Sequence, residues 1–213
     1  MFKDRKDAGQ RLATALEAYN RCGGIVLGIP RGGVEVGYYV ARHLELPLSM
    51  VVVRKLPFPD NPEAGFGALA EDGSVYYQEG IAGLIPAALS ARILKEQQRE
   101  VERRIQSLRD GKPLPEIAGK TVLVVDDGVA MGSTMQAAIL LCRHQHAAKV
   151  IAAAPVAGPS ALRELKKTAD ETVILDVPPD FRAVAQVYQR WYDVTDEEVR
   201  QVLRNVRSEE NSE

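Results

Sequence analysis

The sequence predicts an α/β domain: an open, mostly parallel sheet with helices on both faces. Three observations carry this. Apolar runs of strand length recur along the chain: IVLGI (25–29), TVLVVDDG (121–128), KVIAAAPVA (149–157) and TVILDV (172–177). Stretches with helical spacing separate them, and this alternation marks parallel strands joined by helical crossovers. No internal repeat or low-complexity segment interrupts the pattern.

The elements follow in order. Residues 3–20 place Leu12, Ala15, Leu16 and Tyr19 on one helical face, and Gly23-Gly24 stop that helix. The strand 25–29 is closed by PRGG (30–33), and a helix is expected over 34–44, ending near Pro47. LSMVVVRKL (48–56) reads as a second strand, and PFPDNPEAGFGAL after it, rich in Pro and Gly, as a loop. GSVYYQ (73–78) alternates weakly and fits a hairpin strand. Residues 86–109 are strongly helical and densely charged, and DGKPLPEIAGK links them to the strand 121–128. A helix from Ser133 to His146, the strand 149–157, the helix SALRELKK and the strand 172–177 complete the alternation. DFRAVAQVYQRWYDVTDEEVRQVLRNV ends in a last helix, and 208–213 reads as a frayed tail.

Bulk properties exclude several classes. A chain of 213 residues with ordinary globular composition is one domain by default, 1–213. Cys22 and Cys142 form no metal spacing and no disulfide framework, so a cytoplasmic setting is expected. The N-terminus lacks a signal peptide's apolar core, and no run nears the ~18 apolar residues that span a bilayer, so no membrane partner is expected. A net charge of −2 supplies no global basic field, so no nucleic-acid partner is expected either. A small polyanion needs only local donors. In sheets of this class ligands sit beyond the carboxyl ends of the strands, here the loops after Ile29, Leu56, Val125 and Val156.

The segment VLVVDDGVAMGSTMQAA (122–138) carries the chemistry. Four apolar residues enter the core, then Asp126 and Asp127 stand at the strand end, then a Gly-punctuated loop opens a helix. A helix N-terminus offers free N–H groups and positive dipole charge to an anion. Gly128 and Gly132 let the backbone approach a phosphate, and Ser133 and Thr134 add hydroxyls. The two acids would repel a phosphate and instead suit a diol and a divalent cation. One loop thus offers a phosphate cradle at one end and a ribose clamp at the other. A Walker loop is excluded because no Lys precedes Ser133, and a GxGxxG fingerprint is absent. A helix merely capped by Asp would need neither the full apolar strand nor the G-S-T opening.

This segment resembles the 5-phosphoribosyl-diphosphate signature of type I phosphoribosyltransferases: four hydrophobics, two acids, and a loop usually ending T-G-x-T. The likeness extends to a bacterial and archaeal group of that family, from the IPRGG segment to the final DEEV. It implies a Rossmann-like sheet with a small hood and a flexible loop. It implies a Mg²⁺-dependent phosphoribosyltransferase of nucleotide salvage or synthesis, taking phosphoribosyl diphosphate and a nitrogenous acceptor, often as a homodimer. By the resemblance, Asp126 and Asp127 hold the ribose hydroxyls and reach the metal only through substrate or water. The loop Gly128, Val129, Ala130, Met131, Gly132, Ser133 and Thr134 holds the 5-phosphate, its donors coming from Ala130 onward. Met131 replaces the usual Thr, which removes one hydroxyl but no backbone donor. Ala130 stands where oxopurine-salvage enzymes carry an Asp, which argues against an oxopurine acceptor.

Other segments support the same site. Pro30 ends the first strand, Gly32-Gly33 permit unusual backbone angles, and Arg31 offers a fork suited to diphosphate. In enzymes this chain resembles, that loop sometimes holds a non-proline cis peptide. Arg54 and Lys55 close the second strand on the same edge and are read with the diphosphate; Arg31 and Lys55 join the acids in stabilising the reaction. Residues 57–80 match the loop that covers such sites, within a lid of about 57–115. Arg99, Arg103 and Arg104 read as a solvated helix face. Tyr188, Trp191 and Tyr192 fit stacking on an acceptor base, in a hood element of 178–205. Two rival readings remain at this point. One is a regulator that binds phosphoribosyl diphosphate without turnover; the other is a pocket for a different sugar phosphate.

Overall fold

The computed structural model describes residues 1–210. In chain order its elements are α1 (Arg5–Ala15), β1 (Ile25–Gly28), α2 (Gly32–Leu44), β2 (Leu48–Met50), β3 (Val53–Phe58), β4 (Asn61–Ala70), β5 (Val75–Tyr77), α3 (Ala87–Arg109), β6 (Thr121–Val125), α4 (Ser133–His144), β7 (Lys149–Val156), α5 (Pro159–Thr168), β8 (Glu171–Asp176) and α6 (Asp196–Glu210). The main sheet is parallel, in the order β2-β1-β6-β7-β8. β1, β2, β6 and β7 are buried on both faces, which is why they read as apolar runs, whereas the edge strand β8 is only partly buried. Along β6, Leu123 and Val125 join a core layer with Leu12 and Val40, while Val122 and Val124 join one with Met135 and Ile139. The period-2 alternation of a strand thus serves two helical layers. No described helix is long and apolar enough to cross a membrane.

Two expectations are corrected. The run 48–56 is two strands: β2 lies in the main sheet, and β3 leaves it after Val52 to start a three-stranded antiparallel sheet, β3-β4-β5. The Pro- and Gly-rich stretch after it is the strand β4, not a loop. Pairing on both sides overrides local propensity, and the register shifts at Pro57 absorb the irregularity. The glycines of β4 sit where neighbours come close. A Cβ on Gly67 would lie 2.2 Å from the Tyr76 carbonyl oxygen, and one on Gly65 would lie 2.5 Å from Lys55 Cγ. The segment read as a lid therefore holds the end of β3, all of β4 and β5, and α3. α6 runs to Glu210, so half of the expected frayed tail is helical; 211–213 lie outside the described residues.

A buried ion pair pins the small sheet to the rest. Arg109, at the end of α3, pairs with Glu71 just beyond β4, and the two side chains are 3% and 7% exposed. Arg109 also donates to the carbonyls of Met50 (2.9 Å) and Lys112 (2.7 Å). Glu71 accepts from the Val52 N–H at 2.9 Å. The junction between the two sheets is thus held by a guanidinium that makes four hydrogen bonds.

Candidate functional site

β1 and β6 are neighbours, but the chain leaves β1 toward β2 on one side and leaves β6 toward β7 on the other. The crevice between their carboxyl ends is the switch point where this architecture places ligands. The loops 30–33 and 126–134 both open there. They touch closely: a Cβ on Gly33 would lie 2.6 Å from the Val125 carbonyl and 2.8 Å from Asp126 Cα, and one on Gly32 would lie 1.8 Å from Asp127 Oδ2. Neither glycine has a positive φ, so the expected unusual angles are not their role; the missing Cβ is. The Pro30–Arg31 peptide is cis. Gly33→Ala is expected to lower stability by about 1–3 kcal/mol in urea denaturation, because backbone and not a flexible side chain must give way.

Asp126 and Asp127 stand at the end of β6, half-buried. The Asp127 N–H donates to Asp126 Oδ1 at 2.9 Å. Burial and the like charge of Asp127 push the Asp126 carboxyl well above its ordinary range. Burial raises Asp127 too, opposed by Arg5. Arg5 Nε donates to Asp127 Oδ2 at 2.7 Å and Nη1 to the Tyr192 carbonyl at 2.8 Å. The Glu35 carboxylate lies 3.9 Å from Arg5, and burial raises its pKa as well. Two carboxylates therefore share one guanidinium, and beside them Asp126 has no ion-pair partner among the described residues. This end of the site is short of positive charge.

Beyond the acids, a cavity of about 230 Å³ is lined by Gly128 to Thr134 on one side and by Lys55 and Gly65 on the other. The loop is pinned to the end of β7: Val129 N–H donates to the Val156 carbonyl at 2.8 Å, and Gly158 N–H to the Val129 carbonyl at 2.9 Å. Gly132, at φ 85°, turns the chain into α4. The N–H groups of Ala130, Met131, Gly132, Ser133 and Thr134 donate to no acceptor among the described residues. They are the orphan donors of a helix start, facing a cavity that carries a lysine on its far wall. Met131, 47% exposed, forms the rim.

The structure separates two residues expected to act together. Arg54 Nε donates to Gln97 of α3 at 3.1 Å, whereas Lys55 lines the cavity. Adjacent strand residues point to opposite faces, so the pair cannot share one ligand group. Arg54 instead lies among Arg104, Arg103 and Arg31; burial and these like charges lower its pKa despite nearby Glu100. Arg104 is thus part of a half-buried cationic group rather than a solvated face. Arg31 reaches Asp196 of α6 at 3.6 Å.

The three aromatics are brought together, with one correction. Tyr188 is 6% exposed, packed between Phe2 and Trp191, and its hydroxyl donates to the Asp127 carbonyl at 2.6 Å. A ring enclosed in this way cannot stack a base, because no face is open. Trp191 and Tyr192 are exposed. Arg5 and Glu35 are the site residues that sequence reasoning missed. The signal existed for Arg5: it shares the helical stripe of Ala8, Gly9 and Leu12, the buried face of α1.

The chain also matches known proteins over most of its length. The phosphoribosyl transferase domain family matches over residues 4–189. Two Mycobacterium tuberculosis proteins provisionally named phosphoribosyl transferases, MT0597 and Rv0571c, are each 38% identical over 201 residues, 93% of this chain. The chain spans 45% of the length of these relatives. The crystal structure of TT1426 from Thermus thermophilus is 38% identical, covers 95% of this chain and 97% of its own, and superposes with a TM-score of 0.81.

Proposed function

The chain belongs to the phosphoribosyl transferase domain family, and from that premise we propose that it transfers phosphoribosyl from 5-phosphoribosyl 1-diphosphate to a nitrogenous acceptor. One observation carries the proposal. A single loop presents two carboxylates, then five unclaimed N–H groups on a cavity with a facing lysine. That order matches a ribose 5-phosphate, a diol at one end and a dianion at the other.

In this reading Asp126 and Asp127 accept hydrogen bonds from the ribose 2′- and 3′-hydroxyls. The N–H groups of 130–134, the Ser133 and Thr134 hydroxyls and Lys55 bind the 5-phosphate. Arg31, Arg54 and the loop 30–33 hold the diphosphate, whose charge relieves the crowding of cations around Arg54. The bond from C1 to the diphosphate oxygen breaks, leaving positive charge on the ribose. The acceptor nitrogen attacks from the opposite face, and its proton leaves with the released diphosphate. The protein's share is positioning and charge stabilisation, and no protein nucleophile is needed. Trp191 and Tyr192 are the exposed aromatic surfaces offered to the acceptor.

Mg²⁺ fits this donor set as a companion of the substrate. No group of three His, Cys, Asp or Glu among the described residues could cage it. The surplus of carboxylates over guanidinium at Asp126, Asp127 and Glu35 nevertheless favours a cation. Asp126 and Asp127 would hold it through substrate or water, and it would neutralise the diphosphate.

The test is diphosphate release from phosphoribosyl diphosphate with Mg²⁺ across a panel of bases and amines, with donor binding followed in parallel. Release stimulated by one acceptor is expected. Tight binding without release for any acceptor would assign the chain as a non-catalytic phosphoribosyl-diphosphate-binding regulator. Absence of donor binding would overturn the reading of the site.

A further inference from the structure

We propose that Arg5 is a positioning residue of the donor site, which sets the Asp127 carboxylate for the ribose and couples it to the segment 188–195. The inference rests on the donor-site reading above. An arginine only 3% exposed is expensive to bury unless its donors and faces are used. Here Nε is spent on Asp127 Oδ2 (2.7 Å) and Nη1 on the Tyr192 carbonyl (2.8 Å). The guanidinium carbon lies 4.1 Å from the centroid of Trp191 and 5.1 Å from that of Tyr192.

These contacts join elements that are far apart in sequence. One guanidinium touches the end of β6 and the backbone of the C-terminal segment. It also reaches toward Glu35 of α2, whose Oε2 is buried without a hydrogen bond among the described residues. Tyr192 closes the ring by donating its hydroxyl to Glu35 Oε1 at 2.8 Å. Tyr188 holds the Asp127 carbonyl from below at 2.6 Å. Asp127 is thus fixed at both backbone and side chain, with Oδ2 seated in the space that a Cβ on Gly32 would fill, 1.8 Å away. Oδ1 is the oxygen left for the ligand. Trp191, the only tryptophan in the chain, lies against the same guanidinium and reports on it.

The test compares wild type, Arg5→Met and Arg5→Lys, using ribose 5-phosphate and inorganic phosphate as separate probes. Arg5→Met is expected to weaken ribose 5-phosphate binding by at least ~10-fold, about one charge-assisted hydrogen bond, with inorganic phosphate binding unchanged. Arg5→Lys keeps the charge but not the fork, and is expected to fall between. If Arg5→Met does not fold, Arg5→Lys carries the test alone. Ribose 5-phosphate is expected to shift Trp191 emission in wild type and not in Arg5→Met. Equal loss for both probes would assign Arg5 a merely structural role and overturn the inference. Unchanged ribose 5-phosphate binding, or an unchanged emission shift in Arg5→Met, would also overturn it while leaving the donor-site reading intact. Failure of wild type to bind ribose 5-phosphate would remove the donor-site reading, and this inference with it.

Discussion

The Asp126→Ala/Asp127→Ala variant is expected to bind phosphoribosyl diphosphate at least ~100-fold more weakly than wild type. The magnitude follows from two lost hydrogen bonds to carboxylates, each about 1.5–3 kcal/mol, at about 1.4 kcal/mol per decade. The variant also leaves Arg5 buried without Asp127, so thermal stability must be measured beside affinity. Asp126→Asn answers that concern, since Asp126 has no ion-pair partner among the described residues and its shape is kept. It should retain the fold and still lose most donor affinity, while inorganic phosphate, held by the loop 130–134, binds as before. Isothermal titration with the two probes separates these effects. Near-wild-type donor affinity in the double variant would falsify the ribose clamp.

The second large effect concerns stability. Arg109→Met is expected to destabilise the protein by about 3–5 kcal/mol, because it leaves the Glu71 carboxylate buried and unpaired. In a domain of this size that corresponds to a fall of roughly 6–20 °C in Tm by calorimetry. The carbonyls of Met50 and Lys112 lose their donor as well. The double variant Arg109→Met/Glu71→Met should recover much of the loss, since it is the orphaned charge that is costly and not the absence of the pair. A double variant no more stable than Arg109→Met would show that the ion pair itself, or the hydrogen bond from Val52 to Glu71, holds the junction.

What was legible in the sequence was local. The runs 25–29, 121–125 and 149–156 announce themselves because strands buried on both faces need nothing but apolar residues. The loop 126–134 could be read because its acids, glycines and helix start are contiguous, and adjacency in sequence keeps them adjacent in space. The opposite facing of Arg54 and Lys55 was also available, from strand alternation alone.

Tertiary structure decided the rest. β4 is a strand because β3 and β5 flank it, a fact about partners that its Pro and Gly content cannot reveal. Gly32 and Gly33 matter for what lies against them, not for their own backbone angles. Arg5 shows its role only when α1, β6 and the 188–195 segment meet, since it lies 122 positions from Asp127 in the chain. The sequence by itself determined the alternation of strands and helices and the order of charges along one loop, because both arise from neighbours in the chain. Which charges pair, which aromatic ring is enclosed and which glycine is indispensable are properties of close packing between distant segments, and only the folded chain decides them.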